Sequence, residues 1–171
     1  MEIVNSHIAG STGSFEPQRK NNFMLRLASP RGVNLALIEL SMKSFPFPGM
    51  TLEKGETAYW NEVRTWAQGP AKCENVELKL NDYVDQQTAD AMCDWHRLVF
   101  DPETGKMGLV KDYKVQGDLI LFAPDGSQER IWVVSGVWIK DQPKLGELSM
   151  EDGKQVEIGC TLVIDRVWKK R

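Results

Sequence analysis

From residue 156 to residue 164 every second side chain is apolar. Val156, Ile158, Cys160, Leu162 and Ile164 take one side. Gln155, Glu157, Gly159, Thr161 and Asp165 take the other, with only Val163 out of step. A two-residue period puts alternate side chains on opposite faces of an extended chain, so this is a strand with one buried and one wet face. The stretch before it is more demanding. By the same count Ile131, Val133, Val137 and Ile139 share one face, and Trp132, Val134 and Trp138 share the other. A strand apolar on both faces must be covered twice, once by its own core and once by something else. Trp132 and Trp138 are therefore candidates for contact with a neighbouring chain.

The rest of the chain continues this pattern. Tyr113, Val115, Leu119 and Leu121 line one side of a strand, with Gly117 as a bulge or a close approach. Pro124-Asp125-Gly126-Ser127 is a strong hairpin turn. Val76, Leu78 and Leu80 alternate with Glu77 and Lys79 in a half-buried strand. Residues 23–40 suggest a hairpin turning at Pro30-Arg31-Gly32. Phe45-Pro46-Phe47-Pro48-Gly49 cannot continue as a central strand, because each proline removes a ladder donor. One good helix is expected over residues 86–99. Ala91, Met92, Trp95, Leu98 and Val99 form its apolar stripe, Asp85 is placed to cap it, and Val84 with Ala89 is placed as a hydrophobic staple.

Residues 50–70 form a long excursion with broken alternation, most simply an extended hairpin turning near Lys54-Gly55. Exposed excursions of this length usually carry function. Tyr59, Trp60 and Trp66 give it aromatic anchors of the kind that dock onto a partner. The alternative is that these rings fold back on the parent core. The expected fold class is mainly β: a small antiparallel β-barrel or two packed sheets with one α-helix. Residues 1–20 are expected to be a flexible arm, and residues 21–171 a single domain.

The chemistry of an enzyme is not advertised. His7 and His96 are the only histidines, and a metal site at Cys93 and His96 would need two further ligands. Asp90 and Asp94 lie one helical turn apart on the wet face, where paired carboxylates are solubility groups unless burial raises one pKa. No glycine cluster forms a phosphate-binding fingerprint. Neither cofactor nor metal is expected. The net charge of −3 and the short basic run Lys169–Arg171 do not make the concentrated positive patch of a protein that grips nucleic acid. Cys73, Cys93 and Cys160 are an odd, widely spaced set, and Cys160 falls on the apolar side of its strand, where a buried free thiol is expected. The first residues lack the basic and then apolar pattern of a secretory signal, and no stretch has the length of a membrane span. Synthesis in a reducing cytoplasm, with no membrane anchor, is the expectation.

With these elements in place, the order and spacing of segments resemble the tail tube proteins of contractile-tailed phages, from Phe15 to Val167. FEPQRKNNFMLRL (15–27) resembles the family start, and the Phe45–Gly49 bend resembles its proline bend after the second strand. The excursion from Met50 to Pro70 sits where the family places a long hairpin-like loop. CENVELKLND (73–82) followed by DQQTADAMCDWHRLV (85–99) resembles its strand, acidic turn and amphipathic helix. YKVQGDLILF (113–122), RIWVVSGVWIKDQ (130–142) and LSMEDGKQVEIGCTLVIDRV (148–167) resemble the closing strands.

The resemblance implies a non-enzymatic building block, located in the virion after synthesis in the host cytoplasm. Six copies would form a ring whose sheets line a channel. Rings would stack into a tube that DNA passes without specific binding. Sheath, baseplate and tail-terminator proteins are the implied partners. Asn75, Glu77, Lys79, Gln155, Glu157 and Thr161 are then the expected channel lining, since small, neutral and acidic groups do not hold a polyanion. A baseplate tube initiator, a subunit of a contractile secretion tube, and a small β-barrel ligand-binding module are the competing expectations.

Overall fold

The computed structural model describes residues 18–85, 87–146 and 153–171. The expected arm up to residue 17, Gln86 at the expected start of the helix, and residues 147–152 lie outside them. The element order is β1 (Phe23–Leu27), α1 (Leu37–Ser41), β2 (Met42–Ser44), β3 (Met50–Tyr59), β4 (Glu62–Cys73), β5 (Val76–Asn81), α2 (Thr88–Val99), β6 (Phe100–Asp101), β7 (Lys106–Met107), α3 (Val110–Tyr113), β8 (Val115–Phe122), β9 (Gln128–Ile139), β10 (Lys144–Leu145), β11 (Glu157–Val163) and β12 (Arg166–Lys169).

Eight strands form two antiparallel layers that share β9. Along the main path the order is β1-β8-β9-β11-β5-β2, with β12 also on β9 and β10 also on β11. The described strands do not close into a barrel: no pairing joins β1 to β2 at the two ends of this path. Of the two expected forms, the described strands do not make the closed barrel, and the other, packed sheets, describes them, with β9 common to both.

The alternation of the last third accounts for the core. Ile158, Cys160 and Leu162 of β11 and Val76, Leu78 and Leu80 of β5 are buried. They pair as Ile158 with Leu80, Cys160 with Leu78 and Leu162 with Val76. Leu25 and Leu27 of β1, Leu119 of β8, and Met92, Trp95 and Val99 of α2 join the same cluster.

The phase of β9 differs from a simple alternation. Val115 of β8 pairs with Val137, and Gly117 pairs with Val134, so β9 uses one residue more than its partner. The extra residue is a bulge at Gly136, which has a φ of +68°. A bulge inverts the facing of every later side chain. Val134 thus joins Val137 and Ile139 in the core, while Val133 is buried outside that cluster. The grouping of Ile131 and Val133 with Val137 and Ile139 is corrected accordingly. At the bulge the chain also passes between layers. β11 pairs with the end of β9 through Leu162 and Val163, and β12 pairs with its middle from Trp132 to Ser135. Between them, Asp165 accepts a 2.6 Å bond from Lys114 Nζ, and its backbone N–H reaches Ser135 O at 3.1 Å. A Cβ on Gly136 would overlap the Asp165 carboxylate, so glycine is required here for space as well as for φ.

Three local expectations are corrected. Residues 34–40 do not return as a strand: all five residues of β1 pair with β8, and the segment after Val33 turns into α1. Leu35 and Ile38, three apart, are both fully buried there. Besides α2, the short helices α1 and α3 are present. The start of α2 is also different. Val84 is 96% exposed and makes no staple, and Gln87 precedes the helix in the left-handed region with no side-chain cap. Asp82 rather than Asp85 approaches the first turn, its Oδ1 lying 3.4 Å from Ala89 N. A buried hydroxyl pair, Ser41 with Thr88 at 2.9 Å, ties the helix start to the end of α1.

Candidate assembly surface

The excursion is a single antiparallel ribbon, β3 with β4, pairing from Met50–Cys73 at its root to Tyr59–Glu62 at its tip. The turn is at Trp60-Asn61, not at Lys54-Gly55. Gly55 sits in mid-strand opposite Trp66, and a Cβ there would lie 2.6 Å from the indole. The glycine that suggested a turn instead allows a tryptophan to lie across the strand. Near the root the ladder slips between Thr51 and Glu53, opposite Gly69 and Pro70. Gly69 has a φ of +76° and Pro70 has no N–H to donate, so both suit an interruption of the ladder. The ion pair from Lys72 to Glu53, at 2.7 Å, spans the slip.

Apart from Gly55 and Cys73, every residue of β3 and β4 is exposed. A two-stranded ribbon without a buried face is marginal on its own in water. Met50, Leu52, Tyr59, Trp60, Val63 and Trp66 all present apolar surface. Trp60 is the extreme case. It is 90% exposed and has a φ of +57°. A bulky residue is disfavoured in that backbone region, and an exposed indole gains nothing from the protomer. Arg64 lies over the Tyr59 ring at 4.9 Å and stiffens the tip. The structure thus brings Tyr59, Trp60 and Trp66 onto one projecting ribbon. It places Trp132 and Trp138 elsewhere. Trp132 meets Phe47 edge-on at 4.9 Å, and Trp138 meets Tyr113 at 5.9 Å. Both rings are partly buried against the protomer core.

The second candidate surface is the polar face of β5 and β11. Thr161 is opposite Glu77, Gly159 is opposite Lys79, and Glu157 is opposite Asn81. Four of the six residues named for the channel, Glu77, Lys79, Glu157 and Thr161, therefore share one face. Asn75 precedes β5, and Gln155 precedes β11, where its Nε2 donates to Asp82 O at 3.2 Å. The strand alternation did not reveal two cations at this face. Lys43 of β2 pairs with Glu157, and Lys144 of β10 lines the shallow cleft over Gly159 with Asp141. The Lys43 ammonium, hydrogen-bonded and close by, holds the Glu157 carboxyl below the usual carboxylate range, with Lys79 adding a smaller pull. The face is charge-balanced rather than acidic. Only the three-dimensional pairing of β2 with β5 could have disclosed Lys43.

Among the described residues, no group of three or more His, Cys, Asp or Glu side chains is gathered as a metal ion would require. Cys160 is a buried free thiol, and Cys73 and Cys93 are half-buried and free.

The sequence matches no family model and no curated protein. Its fold is similar to solved structures. One is a chain of the anti-feeding prophage tube-terminating cap, at a TM-score of 0.72 and 14% identity, covering 99% of both chains. Another is a chain of the PVC sheath/tube terminator of an extracellular contractile injection system in the extended state. Here the TM-score is 0.70 at 13% identity, over 91% of this chain and 97% of the other. A third is a chain of the PVC sheath-tube complex in the extended state, at 0.69 and 14%, over 94% and 99%. At these identities the likeness is one of fold, and this chain has the architecture of a component found in contractile injection assemblies over nearly the whole length of both.

Proposed function

We propose that this chain is a structural subunit of a tube, assembling with copies of itself into hexameric rings that stack around a channel, in a contractile phage tail or a related injection machine. The observation that carries the proposal is the exposed aromatic ribbon, β3–β4, on a fold shared end to end with chains of contractile assemblies. Such a ribbon gains stability only by lying against another chain. The charge-balanced face of β5 and β11 suits a channel wall. Its lysines are offset by carboxylates, so a passing polyanion such as DNA finds little net attraction. Sheath, baseplate and terminator proteins are the proposed partners, and the virion is the proposed location.

A subunit that ends or starts the tube is the second reading. The likeness to a chain of the prophage cap, over 99% of both lengths, favours it. Sedimentation velocity over a range of concentrations tests both. Species that grow without limit fit a tube subunit, and a closed ring that stops growing fits a terminal one. A monomer at every concentration overturns both readings and supports a small ligand-binding module.

A further inference from the structure

We infer that the ribbon tip of one copy docks, Trp60 first, into a specific groove of a second copy, the groove between the Phe45–Phe47 bend and the β1–β8 edge. The inference rests on the self-assembly reading and adds the receptor surface to it. The groove has a volume of about 600 Å³. Its apolar floor is Phe23, Phe45, Phe47, Leu119 and Leu121, and its rim carries Lys20 beside Arg19 and Lys43, the last of which is paired with Glu157. No carboxylate lines it among the described residues.

The tip segment from Glu56 to Glu62 is the complement. It carries two carboxylates, no cation, and the exposed rings of Tyr59 and Trp60. Lys54 pairs with Glu56 within the ribbon, so Glu62 carries the charge of the tip, and the nearest other cation, Arg64, is held over Tyr59. An aromatic anchor entering an apolar pocket with opposite charges at the rim is the arrangement that gives both affinity and register.

A chain cannot fill its own groove in this way. Phe47 lies three residues before β3 begins, so the groove is beside the ribbon root. The tip is ten residues out along an extended strand, roughly 33 Å at about 3.3 Å per residue. The contact therefore joins two different surfaces of two copies. A heterologous contact of this kind repeats, closing into a ring or continuing as a filament.

The test places a photo-crosslinking phenylalanine analogue at position 60 of the full chain, mixed with isotope-labelled chains lacking it. A reciprocal probe stands at Ser44, an exposed residue that also lines the groove. Crosslinked peptides are mapped by mass spectrometry. Capture of residues 19–23, 43–47 or 119–121 of a labelled chain by the tip probe, and of residues 56–63 by the groove probe, supports the docking. Glu62→Lys or Lys20→Glu alone should lower that yield about tenfold, and the two together should restore it. Capture of another surface of a labelled chain overturns the groove assignment while self-assembly stands. Capture of residues 1–17 by the groove probe also overturns it, since the groove then holds the chain's own leading segment. No capture between copies overturns it as well, and a monomeric sedimentation profile in the same sample would take the assembly reading with it.

Discussion

Trp95 shows how much of this protein can be read at a single position. It is fully buried, and its Nε1–H donates to Tyr113 O at 2.9 Å, tying α2 to the end of α3. Trp95→Ala should cost about 3–5 kcal/mol in urea unfolding, from the lost ring and the cavity it leaves. An unchanged midpoint would mean that the helix does not pack on the sheets. The helical spacing of Met92, Trp95 and Val99 made this position legible in the sequence. The alternation of β11 did the same for Cys160, whose thiol burial pushes up to about 12 from an ordinary value of 9.0. The sign follows from proton binding. Above the ordinary value the unfolded chain loses this proton while the folded chain keeps it. The contribution is thus intact below that value and declines as pH rises towards the folded one. Cys160→Ala should lose about 1.4 kcal/mol less per pH unit than the wild type across that window. Iodoacetamide should label Cys73 and Cys93 in the native protein and Cys160 only after unfolding. Equal labelling of all three would place Cys160 at the surface.

At the scale of elements, the ribbon and the layers divide the evidence differently. Periodicity disclosed β5, β11 and α2, because each buries one face against one core, and it disclosed β8 although Ile120 on the opposite face from Leu119 is buried as well. It failed for β9, where the bulge at Gly136 inverts the phase and the mid-strand glycine is the one local mark of it. It also failed for residues 34–40, where Leu35 and Ile38 suit a helical spacing as well as a strand. Gly55 misled because glycine marks both turns and close approaches, and here Trp66 makes the approach. The length of the excursion and its rings were legible, but the direction in which it projects was not. Because its side chains are exposed, the ribbon should contribute to assembly and little to the protomer. Tyr59→Ala with Trp60→Ala should leave the thermal midpoint of the protomer within a few degrees. The same pair should abolish growth beyond it in sedimentation. A lowered midpoint with normal growth would make the ribbon part of the protomer core.

For the whole molecule, the account joins an exposed ribbon, a receptor groove and a charge-balanced sheet face into one assembling unit. Glu157 is the most informative residue of that face, since its partner is Lys43 and its other cationic neighbour is Lys79. Glu157→Lys would remove the partner of Lys43 and turn the balanced face net positive, repeated around every ring if the face lines a channel. Rings should still form, while DNA release from particles carrying the substitution should slow, most at low salt where phosphate attraction is least screened. Unchanged release at low salt would place this face away from the cargo. That four of six proposed lining residues share the face was legible from two alternating strands. Lys43 and Lys144 were not, because they arrive from the sheet neighbours β2 and β10. The central claim is self-assembly around a hole, and negative-stain electron microscopy of the purified full chain tests it most directly. The account predicts six-fold rings with a central channel, alone or stacked into tubes. Fields of uniform small monomers at high protein concentration would contradict it.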